Sequence, residues 1–207
     1  MCAMSVIGAG NMGTAIGSLA VKAGVAVQIL APTLEEAEQT ASKIGAVAGT
    51  VGDPLTGTIV VLAVPYRAID GLLATYGDEL FGKIVVDITN PIAAATADGL
   101  VVPADASAAA QIAQAVPGAR VLKAFNTTFA GTLNAGQVGG QTTTVLVAGD
   151  DADAKAALMK VVSDAGLAAI DVGSLKRARE LEAIGYLEIA LAMSGAIPWS
   201  GGFAVVT

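Results

Sequence analysis

The chain has no histidine, a single cysteine, and few aromatic or charged residues. Each shortage removes some chemistry. Without histidine there is no Ser-His-Asp or Cys-His catalysis, no imidazole acid–base group and no ordinary zinc site. The lone Cys2 excludes an intrachain disulfide and a thiolate cluster, and reads as an incidental residue near the chain start. Charged residues make up only 14% of the 207, and acidic ones prevail to a formal net charge of −7; that balance argues against a nucleic-acid partner. Long apolar runs are missing too. The sequence is 54% hydrophobic, yet pieces such as Thr58-Ile59-Val60-Val61-Leu62-Ala63-Val64 fall well short of the ~18–20 residues that cross a bilayer. No basic leader precedes the first apolar run. The expectation is a cytoplasmic, soluble protein with no membrane partner and no metal. Its chemistry must come from a bound cofactor or from lysine, tyrosine and carboxylates.

What the chain does have is glycine, 25 residues of it, and six positions give the pattern a mechanism. Gly8-Ala9-Gly10-Asn11-Met12-Gly13 follows the apolar run Ala3–Ile7 and opens a helix-compatible stretch, which is G-x-G-x-x-G in a strand–turn–helix setting. Gly8 serves the tight turn and Gly10 lets backbone approach a pyrophosphate. Gly13 lets helix pack on strand, with free N–H groups of the helix start facing the anion. Gly17 allows further close packing. Downstream, strand and helix patterns alternate. Strands are expected at 3–7, 25–30, 46–51, 58–64, 84–88, 120–124, 143–148 and 168–172. Helices are expected at 12–23, 34–44, 66–76, 106–115 and 152–165. This alternation predicts an α/β, doubly wound, mainly parallel Rossmann-type sheet of order 3-2-1-4-5-6, extended by two C-terminal strands. One domain over 1–207 is expected, with a core to about 150 and a C-terminal extension from about 151.

Ligands of such a sheet bind beyond the strand carboxyl ends, where strand order reverses. The glycine loop should therefore face Ala63-Val64-Pro65, which ends strand four. Strands five and six end in Asp87-Ile88-Thr89-Asn90-Pro91 and Lys123-Ala124-Phe125-Asn126-Thr127-Thr128. Asn90 reads evenly as turn or ligand group, while Asn126 and Thr127 converge with other polar groups on a ligand position. A nucleotide ribose is commonly held by an acidic residue at the end of strand two, but Leu30-Ala31-Pro32-Thr33 has neither a carboxylate there nor a cation for a 2′-phosphate. Thr33-Leu34-Glu35-Glu36 fits a capping box, and Thr33 could alternatively bind that phosphate. NADP and NAD both stay open on these residues. Lys123 and Tyr66 are the only nearby groups of the kind that donates protons, Lys123 being the candidate catalytic residue.

In order and spacing, Ile7–Gly13, Leu62-Ala63-Val64-Pro65, Val86–Pro91, Lys123–Thr127 and Arg179-Glu180-Leu181-Glu182 together resemble the NADP-dependent oxidoreductases that use the deazaflavin coenzyme. The resemblance implies NADP as cofactor and hydride transfer to or from a deazaflavin or flavin-like co-substrate. It puts the glycine loop and Ala63–Pro65 on the dinucleotide, and Asn126 and Thr127 near the nicotinamide. That family tends to place Ser-Arg after strand two, where this chain has Ala31-Pro32. The glycine loop also resembles that of pyrroline-carboxylate reductases, so a small imine or carbonyl reductase is a second reading. A non-catalytic dinucleotide sensor is a third.

Leu175–Ala196, opened by Ser174, reads as one long helix with two apolar stripes, Leu181/Ile184/Leu187/Leu191 and Tyr186/Ile189/Ala190/Met193/Ile197. Burial on two sides follows, within the domain or in a homodimer, or else packing beneath the tail Pro198-Trp199-Ser200-Gly201-Gly202-Phe203.

Overall fold

The computed structural model describes residues 3–93 and 98–206; Cys2 lies outside the described residues. Eight strands form one sheet. In chain order they are β1 (Ala3–Ile7), β2 (Ala26–Ala31), β3 (Val47–Thr50), β4 (Ile59–Leu62), β5 (Ile84–Asp87), β6 (Arg120–Lys123), β9 (Thr144–Gly149) and β10 (Ala168–Gly173). Across the sheet the order is β10-β9-β6-β5-β4-β1-β2-β3. The central strands are continuous apolar runs because both faces are covered. β4 and β5 are buried along their whole length, whereas the edge strand β10 is only half-buried.

Each face has its own core. Helices α1 (Asn11–Lys22), α2 (Leu34–Ile44) and α6 (Ala152–Asp164) cover one, where Ile16, Ile29, Val61, Val86 and Leu158 interdigitate. Helices α3 (Ile69–Tyr76) and α4 (Ala108–Ala115) cover the other, over Ile7, Val60, Leu62, Val85 and Val121. A Cβ on Gly17 would press on Ile44 and Ile29, so that glycine sets how closely α1 lies to α2 and β2. α2 begins at Thr33, whose hydroxyl accepts from the Glu36 amide at 3.3 Å, and ends on Gly45 in the left-handed region at φ 76°. Only that half of the capping box forms.

All eight expected strands are present, in the expected order. One direction differs from simple continuation of the winding: β9 pairs antiparallel to β6, and β10 parallel to β9. The chain after β6 does not cross back over a face. It makes a short helix, α5 (Ala130–Ala135), and a hairpin of β7 (Gln137–Val138) and β8 (Gln141–Thr142), then re-enters the sheet from the same edge. β9 and β10 therefore begin, rather than end, at the ligand edge. The expected C-terminal helix is present: its first turn, Leu175–Arg177, is 3₁₀ and runs directly into α7 (Ala178–Met193). No helix among the described residues is long and apolar enough to cross a membrane.

Candidate functional site

The glycine loop meets the end of β4 at the reversal of strand order. Gly8 adopts φ 123°, and a Cβ there would collide with the Ala63 carbonyl; one on Gly13 would collide with the Gly8 carbonyl. Both positions need glycine on steric grounds. Gly10 is different, because a Cβ would meet no protein atom within 4 Å. It is exposed and caps α1 with no side-chain hydrogen bond to the helix start. The first-turn N–H groups of α1 thus have no side chain over them, the arrangement an oxyanion fits.

Beyond β6 the chain turns sharply. Phe125, with φ 62°, is the one non-glycine residue in the left-handed region among those described, and it is buried. An aromatic residue held there costs local strain, of a kind that concentrates at functional sites. The turn swings Asn126 against Asn90, three residues beyond the end of β5. The Asn126 amide nitrogen donates to Asn90 Oδ1 at 2.9 Å and to the Leu181 carbonyl at 2.8 Å, and Asn90 Nδ2 donates back to the Asn126 carbonyl at 3.0 Å. Since a carbonyl only accepts, the bond to Leu181 fixes which end of the Asn126 amide is nitrogen. Its Oδ1 is then left buried with no partner among the described residues. Gly185 of α7 seats this pair, for a Cβ there would collide with the Asn90 side chain and the Asn126 carbonyl.

Below the pair lies a closed ionic group. Lys123 is fully buried, 2.8 Å from Asp87 and 2.9 Å from Glu182, both also fully buried, and donates to the Thr89 carbonyl. All three ammonium protons are engaged. Glu182 further accepts from the amides of Ala108 and Ala109 at the start of α4, a position where the helix dipole favours a carboxylate. Burial raises the Glu182 carboxyl above its usual range, while Lys123 and the Ala108 amide pull it down. The expectation of Lys123 as a proton donor at the crevice is therefore corrected. It is a strand-end lysine turned inward to tie β5, β6, α4 and α7 together. Tyr66 lies in the 3₁₀ turn after β4 and donates to Gln111. Its phenol is pushed up by burial and by Asp70, Glu182 and Asp87.

A cleft of about 780 Å³ opens beside the amide pair. Asn11 and Met12, Asn90 and Asn126, and Phe129 with Trp199 line it. The two rings lie 4.9 Å apart at 56°. Trp199 belongs to the tail after α7, which is tied down by Thr132 donating to the Gly201 carbonyl at 2.7 Å and by the Phe203 amide donating to Glu188 at 3.3 Å. Glu188 is 1% exposed, its second oxygen has no partner among the described residues, and burial pushes its carboxyl up to about 7.

Among the residues singled out from sequence, Asn11, Met12, Asn90 and Asn126 share this cleft, and Gly8, Gly13 and Ala63 meet beside it. Val64 packs on the core under α3, Pro65 starts the 3₁₀ turn, and Thr33 caps α2. Thr127 is buried but does not line the cleft. Sequence reasoning missed Lys43, Phe129 and Trp199 on the cleft wall, and Glu188 behind it. The only tryptophan of the chain, in a tail without charged residues, was a usable signal for the wall. No group of three or more His, Cys, Asp or Glu among the described residues could hold a metal.

The fold is of Rossmann type, and its glycine loop has the strand–turn–helix setting of a pyrophosphate-binding turn. Residues 3–91 match the model of the family described as NADP oxidoreductase, coenzyme F420-dependent, the family that the sequence resembles. The chain is 32% identical over 139 residues to an F420-dependent NADP reductase of Methanocaldococcus jannaschii, covering 65% of this chain and 62% of the relative. It is 34% identical over 125 residues to the metalloreductase STEAP3 of Rattus norvegicus, 60% of this chain and 24% of that protein. The chain thus spans less than two thirds of either curated relative. A crystal structure described as a putative F420-dependent NADP reductase from Arthrobacter superposes with a TM-score of 0.87 over 99% of both chains, at 24% identity, which speaks to the fold.

Proposed function

We propose that this protein is an NADP(H)-dependent oxidoreductase that passes hydride between the dinucleotide and a deazaflavin or flavin-like acceptor held in the cleft. The observation that carries the reading is Asn126 Oδ1: an acceptor of fixed orientation, buried and without a partner among the described residues, on a side chain whose residue lines the cleft. A buried acceptor left unmade costs about 1–3 kcal/mol, and a carboxamide N–H is the donor that a nicotinamide brings. The glycine loop fits the rest of a dinucleotide. Gly8, Gly10 and Gly13 with Asn11 and Met12 would hold its pyrophosphate, Ala63, Val64 and Pro65 would flank it, and Thr33 would lie at the ribose end. Asn90, Asn126 and Thr127 would face the nicotinamide. The bound dinucleotide supplies the hydride, so the residues of the chain have only to bind, align and exclude water. Phe129 and Trp199 give a flat ring system a wall to lie against.

The missing histidine costs this reaction little, because transfer between two stacked rings turns on alignment. A small imine or carbonyl substrate would call for a proton donor, and Lys123 is locked in its ionic group. Names of the family and of the methanogen relative favour NADP over NAD. The reading treats 1–207 as one unit in a cytoplasmic setting, and assigns the exposed Leu187 and Met193 on α7 to a homodimer, which sedimentation of a Leu187→Glu variant would test.

The decisive experiment titrates the protein with NADPH and NADH, then adds deazaflavin or flavin in the same cuvette. Nicotinamide oxidation over many turnovers is expected. Binding without turnover leaves a dinucleotide sensor; no reduction of either acceptor removes the assignment.

A further inference from the structure

Lys43 is the one charged residue on the cleft wall. That is a pointed choice in a chain of net charge −7, where no aspartate or glutamate lines the same cleft. Lys123, Lys155 and Lys160 are each engaged with a carboxylate, and Lys83 donates to two carbonyls. Lys43 makes no such bond among the described residues, and stands in the last turn of α2 across from Asn11 and Thr14 in the first turn of α1. Thr40, one turn earlier on α2, donates to the Ala9 carbonyl at 3.1 Å, so this end of α2 is fastened to the glycine loop itself. A flexible ammonium and the side-chain-free N–H groups of α1 therefore face the same space. The other place where a cation would be expected, the end of β2, offers Ala31-Pro32-Thr33 and then Glu35 and Glu36. Asn126 lines the same cleft, and its buried oxygen, without a partner among the described residues, points separately to a bound ligand.

We infer that Lys43 binds an oxyanion of a molecule held in this cleft. The inference rests on the functional reading above and adds the charge of what binds there. The oxyanion has two available sources, the phosphates of the dinucleotide or an anionic group on the acceptor. Lys43 also sits where a cation suits the α2 dipole, a role that would touch stability and leave ligand affinity alone.

The test compares wild type with Lys43→Gln and Lys43→Arg. Inorganic pyrophosphate, NADPH and NADH are titrated against the fluorescence of the single Trp199, and FMN is compared with riboflavin, which lacks only the phosphate. Loss of one charge-assisted contact should weaken the affected ligand roughly five- to tenfold, with recovery in the arginine variant. Weaker pyrophosphate and NADPH binding assigns the dinucleotide. A raised KM for FMN with riboflavin unchanged assigns the acceptor. If Lys43→Gln leaves pyrophosphate, NADPH and FMN binding all unchanged, the inference is overturned. Pyrophosphate binding is read without turnover, so an inactive wild type that still loses pyrophosphate on Lys43→Gln would sink the functional reading and leave this one standing.

Discussion

Helix α7 buries two carboxylates, each three residues from Gly185, and treats them in opposite ways. Glu182 sits on a lysine and two helix-terminal amides, and its partner Lys123 is shared with Asp87. Glu188 has one backbone amide from the tail and a second oxygen with nothing to bond. No charged residue lies between Lys123 and Asp150, nor after Glu188 to the end of the sequence, so neither α5 nor the tail can compensate it. On α7 the nearest charge is Glu182, already committed to Lys123. The comparison separates a buried charge that organises a fold from one that taxes it. Glu182 joins four elements beneath the amide pair, while Glu188 holds only the segment carrying Trp199.

Breaking the first arrangement should have the largest effect. Lys123→Met leaves Asp87 and Glu182 buried without their cation, and removal of one partner from such a group costs about 3–5 kcal/mol. Urea unfolding at pH 7 should show that loss, and Asp87→Asn with Glu182→Gln in the same chain should recover much of it. An unaltered midpoint in the single variant would mean that Lys123 is not the tie it is taken for.

The second arrangement predicts a pH dependence of definite sign. The Glu188 carboxyl is raised from 4.5 to about 7 in the folded protein, so folding favours its protonated form. The associated stability is present in full below about 4.5 and is lost as the pH climbs through about 7, a difference of roughly 3 kcal/mol across the window. Glu188→Gln removes the titration. It should stabilise the protein at pH 8 and leave it nearly unchanged at pH 4.5, with Trp199 emission following the docked tail. Equal midpoints for wild type and variant at pH 8 would show that Glu188 is solvated.

Gly185, between the two, connects them to the cleft. Gly185→Ala should push on Asn90 and Asn126 and weaken dinucleotide binding by roughly tenfold, about 1.4 kcal/mol, without changing the ionic group below. Calorimetric titration with NADPH checks it, and an affinity equal to wild type would uncouple α7 from the site.

Much of this was legible beforehand, for identifiable reasons. Strands buried on both faces announce themselves as short Val and Ile runs, so all eight were found, and glycines that cannot accept a Cβ marked the loop. What stayed hidden depended on partners far away in sequence. Lys123 reads as a surface lysine until Glu182, 59 positions on, is folded against it. Glu182 itself lies in Arg179-Glu180-Leu181-Glu182, where nothing local says that it is buried. The antiparallel turn of β9 was missed because α5 is six residues without a clear apolar period. Gly139-Gly140, the turn of the β7–β8 hairpin with φ 56° and 80°, was the overlooked clue.

The smallest expected effect addresses the residue that the sequence left between two roles. Thr33 caps α2 through the Glu36 amide, and the reciprocal half of the capping box is not made. Removing a cap of this kind costs about 1 kcal/mol, so Thr33→Ala should lower stability by that amount. Thr33→Asp keeps an N-cap acceptor and adds a charge beside Glu35 and Glu36, which would repel a 2′-phosphate there. If Thr33 only caps, Asp restores stability and the preference for NADPH over NADH is unchanged in both variants. If it also touches the phosphate, that preference falls in Asp while stability is recovered. The pair of readouts separates helix chemistry from nucleotide chemistry at the one point where this β2 end carries no arginine or lysine.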